Sequence, residues 1–341
     1  MGEFIFEYGI FLAKAVTVVA SVGAILILIV GFSRKSPGEF GLTVEKLNDK
    51  YREMAKVLQH AVLKKSAWKQ YAKDEKKGLK QQKKDEGAAD KQRKRLFVLD
   101  FKGDIRATGV KHLREEISAL VSVGTATDEV VLRLENPGGA VHDHGLAASQ
   151  LMRIKDSGIP LTVIVDKVAA SGGYLMACIA DRIIAAPFAV IGSIGVLAQI
   201  PNFNRALESH GVDFEQVTAG KYKRTVTMFG KNTEEDRAKL KEELEEVHYL
   251  FKDLVAEQRP NLDVEAVSTG EHWYGTRALE IGLVDQLGSS DDYLMSAAKD
   301  ADVYQLAFRG KQTLQDRIFG AFESALERVG LSQLMAKIMF R

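Results

Sequence analysis

The sequence contains only one cysteine, Cys178, among its 341 residues. No intramolecular disulfide can therefore form, and one chain cannot build a cysteine-based metal site. Cys178 lies in the apolar segment YLMACIA, which has no basic residue to lower the pKa of the thiol. This setting predicts a small core residue and not a reactive nucleophile.

A net charge of either sign is also nearly absent, because 47 basic and 46 acidic residues leave a formal charge of +1. The average conceals a lysine-rich run from Lys64 to Arg95, beyond which acidic residues outnumber basic ones. Such runs are usually solvated, so we expect a spacer there and no nucleic-acid partner; contact with anionic lipid is a third option. The composition, 46% apolar and 27% charged, excludes disorder throughout.

The first long apolar run, Ala15–Phe32, carries no charged residue. It has about the length of 20 residues that a helix needs to cross a bilayer. A cleaved signal peptide is the alternative, but this run is longer than the usual signal-peptide core. We therefore predict an uncleaved membrane anchor over residues 1–33, in contact with lipid through residues 15–32.

The charges that flank this run bear on its orientation. Lys14 is the only basic residue before the run, whereas several follow it: Arg34, Lys35, Lys46, Lys50 and Arg52. Taken alone, the positive-inside rule leaves the C-terminal bulk of the chain in the cytoplasm.

The rest of the chain divides into three parts. Residues 34–95 predict an amphipathic, lysine-rich helical linker, with apolar residues three and four apart from Leu42 onwards. Residues 96–305 alternate short β-branched runs with helical patterns, which predicts an α/β domain whose parallel or mixed sheet is covered by helices. Within it, Thr233 and Asp236 begin a long amphipathic helix. Residues 306–341 have helical periodicity and predict a C-terminal helical extension.

Three glycine-rich turns follow predicted strands of this domain: LENPGGAV, VAASGGY and VIGSIGV. In α/β sheets, ligands bind where the chain leaves the carboxyl end of a strand. In the second turn, Ser171 stands between a strand and a helix, beside the N–H of Gly172 and the positive end of the helix. The segment suits a nucleophile, but taken alone it favours an ordinary helix cap. Because residue 169 is alanine, the turn is not a G-x-S-x-G elbow.

A base to activate Ser171 is not obvious from the residues. His142 and His144 flank Asp143, but neighbours on a helix point in different directions, which argues against a triad and against a metal pair. Lys221 and Lys223 are the other candidates, and either needs an apolar site that keeps it neutral. The residues alone leave both lysines open.

Four segments, NPGG, DKVAASGGYLMA, GSIGV and TAGKYKRT, resemble in order and spacing the membrane-bound serine peptidases of the signal peptide peptidase A family, peptidase family S49. The resemblance extends over essentially the whole chain. It implies a Clp-protease/crotonase-like α/β fold, a Ser/Lys dyad without cofactor or metal, and a homo-oligomer whose dyad can be shared between subunits. It further implies a bacterial inner-membrane protein with a periplasmic catalytic domain, acting on membrane-associated peptides or damaged envelope proteins.

The resemblance also assigns roles to residues. Ser171 is the expected nucleophile and Lys223 the expected general base and acid, whereas Lys221 falls at a position without that role. The oxyanion donors are the backbone N–H groups of Gly139 and Gly172. Ser193 is expected along the wall of the substrate site.

Two other functions fit parts of the sequence. A crotonase-like acyl-CoA hydratase or isomerase needs a carboxylate as acid and base, and Glu135 and Asp166 stand at predicted strand ends. An inactive membrane scaffold, docked through the basic linker, is the non-enzymatic alternative.

Overall fold

The computed structural model describes residues 2, 6–18, 21, 41–88 and 93–309. The chain forms two compact units, one of residues 1–43 and 308–341 and one of residues 44–307. In the first unit, residues 6–18 are helical. Of the predicted membrane span, residues 19, 20 and 22–32 lie outside the described residues. Within the described ranges, no helix is both long and apolar enough to cross a bilayer.

The described chain contains ten strands and ten assigned helices beyond residue 41. The strands are β1 Leu42–Lys46, β2 Arg95–Lys102, β3 Glu129–Glu135, β4 Leu161–Val165, β5 Val168–Ala170, β6 Arg182–Ala185, β7 Val190–Gly192, β8 His272–Tyr274, β9 Gln286–Leu287 and β10 Asp302–Phe308. The helices are α1 Leu47–Val62, α2 Lys65–Ala88, α3 Val110–Val123, α4 Val141–Asp156, α5 Gly172–Ala177, α6 Asn204–Ser209, α7 Glu234–Gln258, α8 Val264–Val267, α9 Gly275–Glu280 and α10 Ser290–Asp300.

The main sheet has seven strands in the order β1-β10-β2-β3-β4-β6-β9. The pairs from β10 to β9 are parallel, with Val98 opposite Val131 between β2 and β3. Side chains alternate across it: Leu99 and Leu132 enter the larger core cluster, whereas Val98 and Val131 enter a smaller one. Burial on both faces explains why these strands read as continuous apolar runs.

Helices cover both faces of this sheet. Leu113 in α3 and Leu151 in α4 belong to the larger core cluster, and Leu47 in α1 and Leu294 in α10 belong to the smaller one. The predicted α/β class is therefore confirmed. The predicted start of the long helix is confirmed as well, because Thr233 and Asp236 form a reciprocal capping box at the N-terminus of α7.

A second sheet has three strands in the order β5-β7-β8, and two of the glycine-rich turns are at the ends of β5 and β7. Strand β7 runs parallel to β5 and antiparallel to β8. A single parallel bridge pairs Asn136, just after β3, with Ala169 in β5. This bridge brings the turn that follows β3 next to the end of β5.

Two boundaries differ from the sequence-based expectation. Leu42–Lys46 is strand β1 and not the first turn of a helix, because it adds an edge strand to the main sheet beside β10. The predicted C-terminal helical extension cannot begin at residue 306, since β10 continues to Phe308. Residues 310–341, the remainder of that extension, lie outside the described residues.

Candidate active site

Ser171 lies at the junction of β5 and α5, in the N-cap position of the helix. Its backbone has φ 51° and ψ −120°, a conformation that is rare for a residue with a side chain and typical of functional sites. The hydroxyl group caps nothing: no N–H of α5 donates to it. Ser171 is held through its backbone instead, since its N–H donates to the carbonyl of Gly192 at 2.7 Å and its own carbonyl accepts from Leu175 at 3.0 Å. The strained backbone thus presents a hydroxyl that has no hydrogen-bond partner among the residues that the structure describes.

The Gly138-Gly139 turn packs directly against Ser171. A methyl group added at Gly138 would lie 2.8 Å from the Cβ of Ser171 and 2.9 Å from the nitrogen of Gly172, and the φ of Gly138 is +93°. Only glycine meets both conditions without displacing its neighbours. The two glycine-rich segments, 33 residues apart in the sequence, are therefore in van der Waals contact.

Two backbone N–H groups beside Ser171 have no acceptor among the described residues, those of Gly139 and Gly172. Gly172 is the first residue of α5, and the first N–H groups of a helix have no intrahelical acceptor. Gly139 is exposed, in the turn that contacts this helix start. Unpaired N–H groups next to a serine hydroxyl are what an oxyanion site requires.

Asn136 and His144 form hydrogen bonds that stabilise this turn, and both residues are fully buried. The side-chain oxygen of Asn136 accepts the N–H of Gly138 at 2.9 Å and lies 3.2 Å from Nε2 of His144. The other ring nitrogen of His144 lies 2.9 Å from the carbonyl of Ala140. A methyl group at Gly172 would come within 2.5 Å of the imidazole ring. The composition of the sequence did not single out Asn136, although its place directly before the Pro-Gly-Gly turn was visible.

Ser193 lies one residue beyond the carbonyl that receives the Ser171 N–H. It also has a positive φ, 51°, and its N–H donates to the backbone carbonyl oxygen of Glu271 at 2.7 Å. Its hydroxyl lies 3.4 Å from the carbonyl oxygen of Gly270. The structure therefore brings Ser193 to the segment that anchors Ser171, on the side of the three-stranded sheet.

Lys223 lies in an exposed loop between α6 and α7, with its N–H bonded to the carbonyl of Gly220 at 3.1 Å. No hydrogen bond or ion pair in the described chain joins its ammonium group to Ser171. Two apolar side chains of the same loop, Val217 and Tyr222, are themselves exposed. One chain does not by itself desolvate Lys223.

Lys221 is engaged in a different contact. Its ammonium group pairs with Glu235 at 2.7 Å and lies 4.9 Å from the centre of the Tyr222 ring. The hydrogen bond that Lys221 donates to the carboxylate of Glu235 raises the pKa of Lys221 above its ordinary value. A lysine held as a cation in this way is a poor general base.

The other acid, base and thiol candidates do not converge on Ser171. His142 is 85% exposed and lies 3.5 Å from its neighbour Asp143, while His144 faces Ala140 and Asn136, so no triad forms. Cys178 is buried, and burial raises its pKa to about 12. No group of three metal-ligating side chains occurs within the described ranges.

The two carboxylates that a hydratase would use are also occupied. Glu135 pairs with Lys167 at 3.0 Å and with Lys102 at 3.5 Å, and the hydrogen bond from Lys167 lowers its pKa. Asp166 accepts hydrogen bonds from the N–H and the hydroxyl of Ser290, at the start of α10. Neither is positioned as a free acid or base beside the Gly138-Gly139 turn.

Comparisons with known proteins show the family of this chain. Residues 3–151 match the model of the peptidase family S49 N-terminal domain, and residues 153–304 match that of peptidase family S49. Two relatives named "Probable protease SohB" are each 47% identical. That of Haemophilus influenzae aligns over 96% of this chain and 95% of its own length, and that of Buchnera aphidicola subsp. Acyrthosiphon pisum over 98% and 97%.

Among solved structures, the membrane-bound stomatin-specific protease 1510-N is similar with a TM-score of 0.40 and 16% identity, over 60% of this chain and 85% of that one. A likeness this distant adds nothing to the assignment. The family models together span most of the described domain and include all three glycine-rich turns. The chain is thus a peptidase-family protein, and the family to which it belongs is peptidase family S49.

Proposed function

We propose that this protein is a membrane-anchored serine endopeptidase in which Ser171 is the nucleophile and Lys223 the general base and acid. One observation carries the proposal: a serine with an uncapped hydroxyl and a strained backbone contacts the Gly138-Gly139 turn, and the N–H groups of Gly139 and Gly172 have no acceptor within the described ranges. A serine that only caps a helix needs neither a strained backbone nor a second N–H donor. Acyl transfer uses both.

In the acylation step, neutral Lys223 takes the proton of the Ser171 hydroxyl as the oxygen attacks the carbonyl carbon of the scissile peptide bond. The negative charge that develops on the carbonyl oxygen is held by the N–H groups of Gly139 and Gly172. Loss of one such donor typically costs about 10²–10³-fold in rate. The tetrahedral intermediate then collapses: the C–N bond breaks, protonated Lys223 gives its proton to the leaving amine, and an ester to Ser171 remains.

In the second step, water resolves the ester. Lys223, neutral again, takes a proton from the water as the water attacks the ester carbonyl, and the same two N–H groups hold the second oxyanion. The C–O bond breaks, the proton passes to the oxygen of Ser171, and the carboxylate product leaves. No metal or redox group takes part in this scheme.

Lys223 serves as a base only when it is neutral, and neutrality requires surroundings that exclude water. The single chain leaves Lys223 exposed, in a loop whose apolar side chains are exposed with it. Val217 is 96% exposed, and Phe214 and Phe229 are each more than 40% exposed. We infer that a second copy of the chain covers this loop and completes the dyad, so the active form is a homo-oligomer.

The anchor in this proposal is the uncharged run Ala15–Phe32. An anchored peptidase meets substrates at the membrane, which favours membrane-associated peptides and misfolded envelope proteins. The resemblance to membrane-bound family members favours the inner membrane with a periplasmic catalytic domain, whereas the basic residues after the run favour the cytoplasmic side.

A mass-spectrometric experiment tests the nucleophile directly. The solubilised full chain is incubated with a peptide aldehyde or a lactone-type inhibitor, digested, and searched for an adduct. The proposal expects the added mass on the peptide that contains Ser171, and its loss in the Ser171→Ala variant. An adduct on a different residue, with cleavage activity intact in Ser171→Ala, would refute it.

A further inference from the structure

The α1–α2 segment carries two exposed side-chain sets that the proposed chemistry does not use. The first, the apolar stripe of α1, consists of Met54, Val57, Leu58, Ala61 and Val62, all of them exposed. Their spacings of three and four residues put them on one side of the helix. Val57 and Val62 are each at least 70% exposed.

The second set, the lysine stripe of α2, consists of Lys65, Lys69, Lys73, Lys76 and Lys80, again all exposed. At 3.6 residues per turn, these five positions fall within an arc of about 80°. Asp74 and Glu75, the acidic residues in this stretch of the helix, lie outside that arc. The stripe is therefore a line of positive charge along one side of α2.

An aromatic cluster lies where α1 and α2 meet. Trp68, in the first turn of α2, meets His60 of α1 edge to face at 4.8 Å and stacks on Tyr71 at 5.8 Å. Tryptophan and tyrosine are enriched where a protein meets the headgroup level of a bilayer. A boundary between apolar and charged surface is the position at which such rings are stabilised.

The fold presents these stripes on a fixed base. Leu47 at the start of α1 is buried in the smaller core cluster, and Asn48 bonds to the carbonyls of Ala298 and Ala301 and to the N–H of Val303. The remaining charges of α1 are largely neutralised, since Arg52 pairs with Asp49 and Lys56 with Glu53. The core therefore holds the beginning of α1 and leaves its second half uncovered.

We propose that the apolar stripe of α1 and the lysine stripe of α2 together form a docking surface for an anionic lipid bilayer. The apolar side chains would enter the boundary between headgroups and acyl chains, and the lysines would pair with lipid phosphates. A second copy of the chain is a poorer partner, because it would bring one lysine stripe towards another. This inference does not depend on the peptidase activity.

The two tryptophans of the chain allow a direct test with the full-length protein in vesicles. Trp273→Phe leaves Trp68 as the single fluorophore, and lipids brominated in the acyl chain quench a tryptophan that lies at the membrane. We expect quenching of Trp68 in vesicles of phosphatidylcholine with phosphatidylglycerol. Replacing Lys69, Lys73 and Lys76 by glutamine should weaken surface attachment about fivefold per charge, roughly a hundredfold together, and so abolish the quenching. The Trp68→Phe variant, which retains Trp273, is the matched control and should stay unquenched.

A second probe covers the case in which Trp273→Phe perturbs the fold. Cys178 is buried, so the thiol introduced by Val57→Cys is the accessible site for a polarity-sensitive dye. We expect the emission of the dye to report an apolar environment in anionic vesicles and an aqueous environment in vesicles of phosphatidylcholine alone. As a control, the same dye at Glu245→Cys on α7 should report an aqueous environment in both kinds of vesicle. The proposal is wrong if position 57 stays in water on anionic vesicles, or if Trp68 is quenched equally in neutral lipid and in the lysine variant. It is equally wrong if the Val57→Cys thiols of two copies crosslink in place of lipid contact.

Discussion

The backbone N–H of Ser171 donates to the carbonyl oxygen of Gly192 at 2.7 Å, and this bond joins the ends of β5 and β7. It holds Ser171 at a positive φ and leaves the hydroxyl without a capping role. Because the bond is made by the backbone, replacing the side chain of Ser171 leaves it in place. Activity and folding at this position can therefore be separated by mutation.

Ser171→Ala and Lys223→Ala should each abolish cleavage of an unfolded protein or an apolar peptide by the solubilised protein. The first removes the attacking oxygen, and the second removes the group that takes its proton. Lys221→Ala is the matched control, since Lys221 is paired with Glu235 and should be dispensable. Undiminished turnover by either dyad variant, measured under the same conditions as the parent, would contradict the assignment of Ser171 and Lys223 as the dyad.

Gly138→Ala should reduce kcat by about 10²-fold or more, because the added methyl group displaces Ser171 or the N–H of Gly172 from the proposed oxyanion site. Gly158→Ala supplies a control for backbone strain. Gly158 also has a positive φ, +73°, but no atom lies within 4 Å of the added methyl group. Both variants should lose about 1–3 kcal/mol of stability from the strained backbone. Equal activity per folded molecule in the two variants would show that the contact with Ser171 is unimportant.

Asp285 should make the stability of the domain depend on pH. Burial raises the pKa of this carboxyl group, but hydrogen bonds from Arg259 at 2.6 Å and from the N–H of Ile183 at 2.7 Å outweigh it, and the net pKa is lowered. Its contribution is therefore present above the unfolded-state pKa of about 3.9 and is lost as the pH falls through the lower folded-state value.

Asp285→Asn should lower the free energy of unfolding at pH 7 by about 1.5 kcal/mol. This value is at the lower end of the range for hydrogen bonds to charged groups, because a third of the Asp285 side chain is exposed. The variant should also show a shallower loss of stability in acid than the parent. Asp253→Asn, at an exposed carboxylate of α7, is the control and should leave the denaturation curve unchanged. A parent and an Asp285→Asn variant with the same acid profile would contradict the expected linkage.

Cys178 should resist thiol reagents in the native protein, because burial excludes the reagent and raises the pKa of the thiol to about 12. Alkylation at pH 8 should proceed only after denaturation, as followed by intact mass. Cys178→Ala should retain cleavage activity. Rapid labelling of the folded protein, or loss of activity in the alanine variant with the fold intact, would make the Cys178 thiol a candidate nucleophile.

The side of the membrane can be measured with reporter fusions at the C-terminus. Alkaline phosphatase is active only in the periplasm, whereas a fluorescent protein that matures only in the cytoplasm gives the opposite signal. We expect strong phosphatase activity and no fluorescence. The reverse pattern would mean that the basic residues after Phe32 set the orientation.

Some features of the fold were visible in the chain itself. The short β-branched runs within residues 96–305 predicted strands of a sheet covered by helices, and β2 and β4 are two of these strands. A strand that is covered on both faces shows a nearly continuous apolar run in the sequence. Thr233 and Asp236 predicted the start of α7, since both partners of a capping box lie within one turn. The edge strand β1 was missed because a short segment of mixed polarity takes its conformation from the neighbouring strand, β10.

The sequence by itself determined most of the order of the elements, the three glycine-rich turns and the candidate Ser171, because each depends on a local pattern. The choice of Lys223 over Lys221 came from the resemblance to the family. Only the tertiary structure decided that Gly138 contacts Ser171, that Gly192 holds it, and that His144 lies under Gly172, because those contacts join segments brought together by sheet pairing. The structure likewise decided that the Ser171 hydroxyl does not act as a helix cap. Its backbone occupies the cap position while its hydroxyl caps nothing, since the bond to Gly192 fixes a φ at which the side chain does not reach back to the helix.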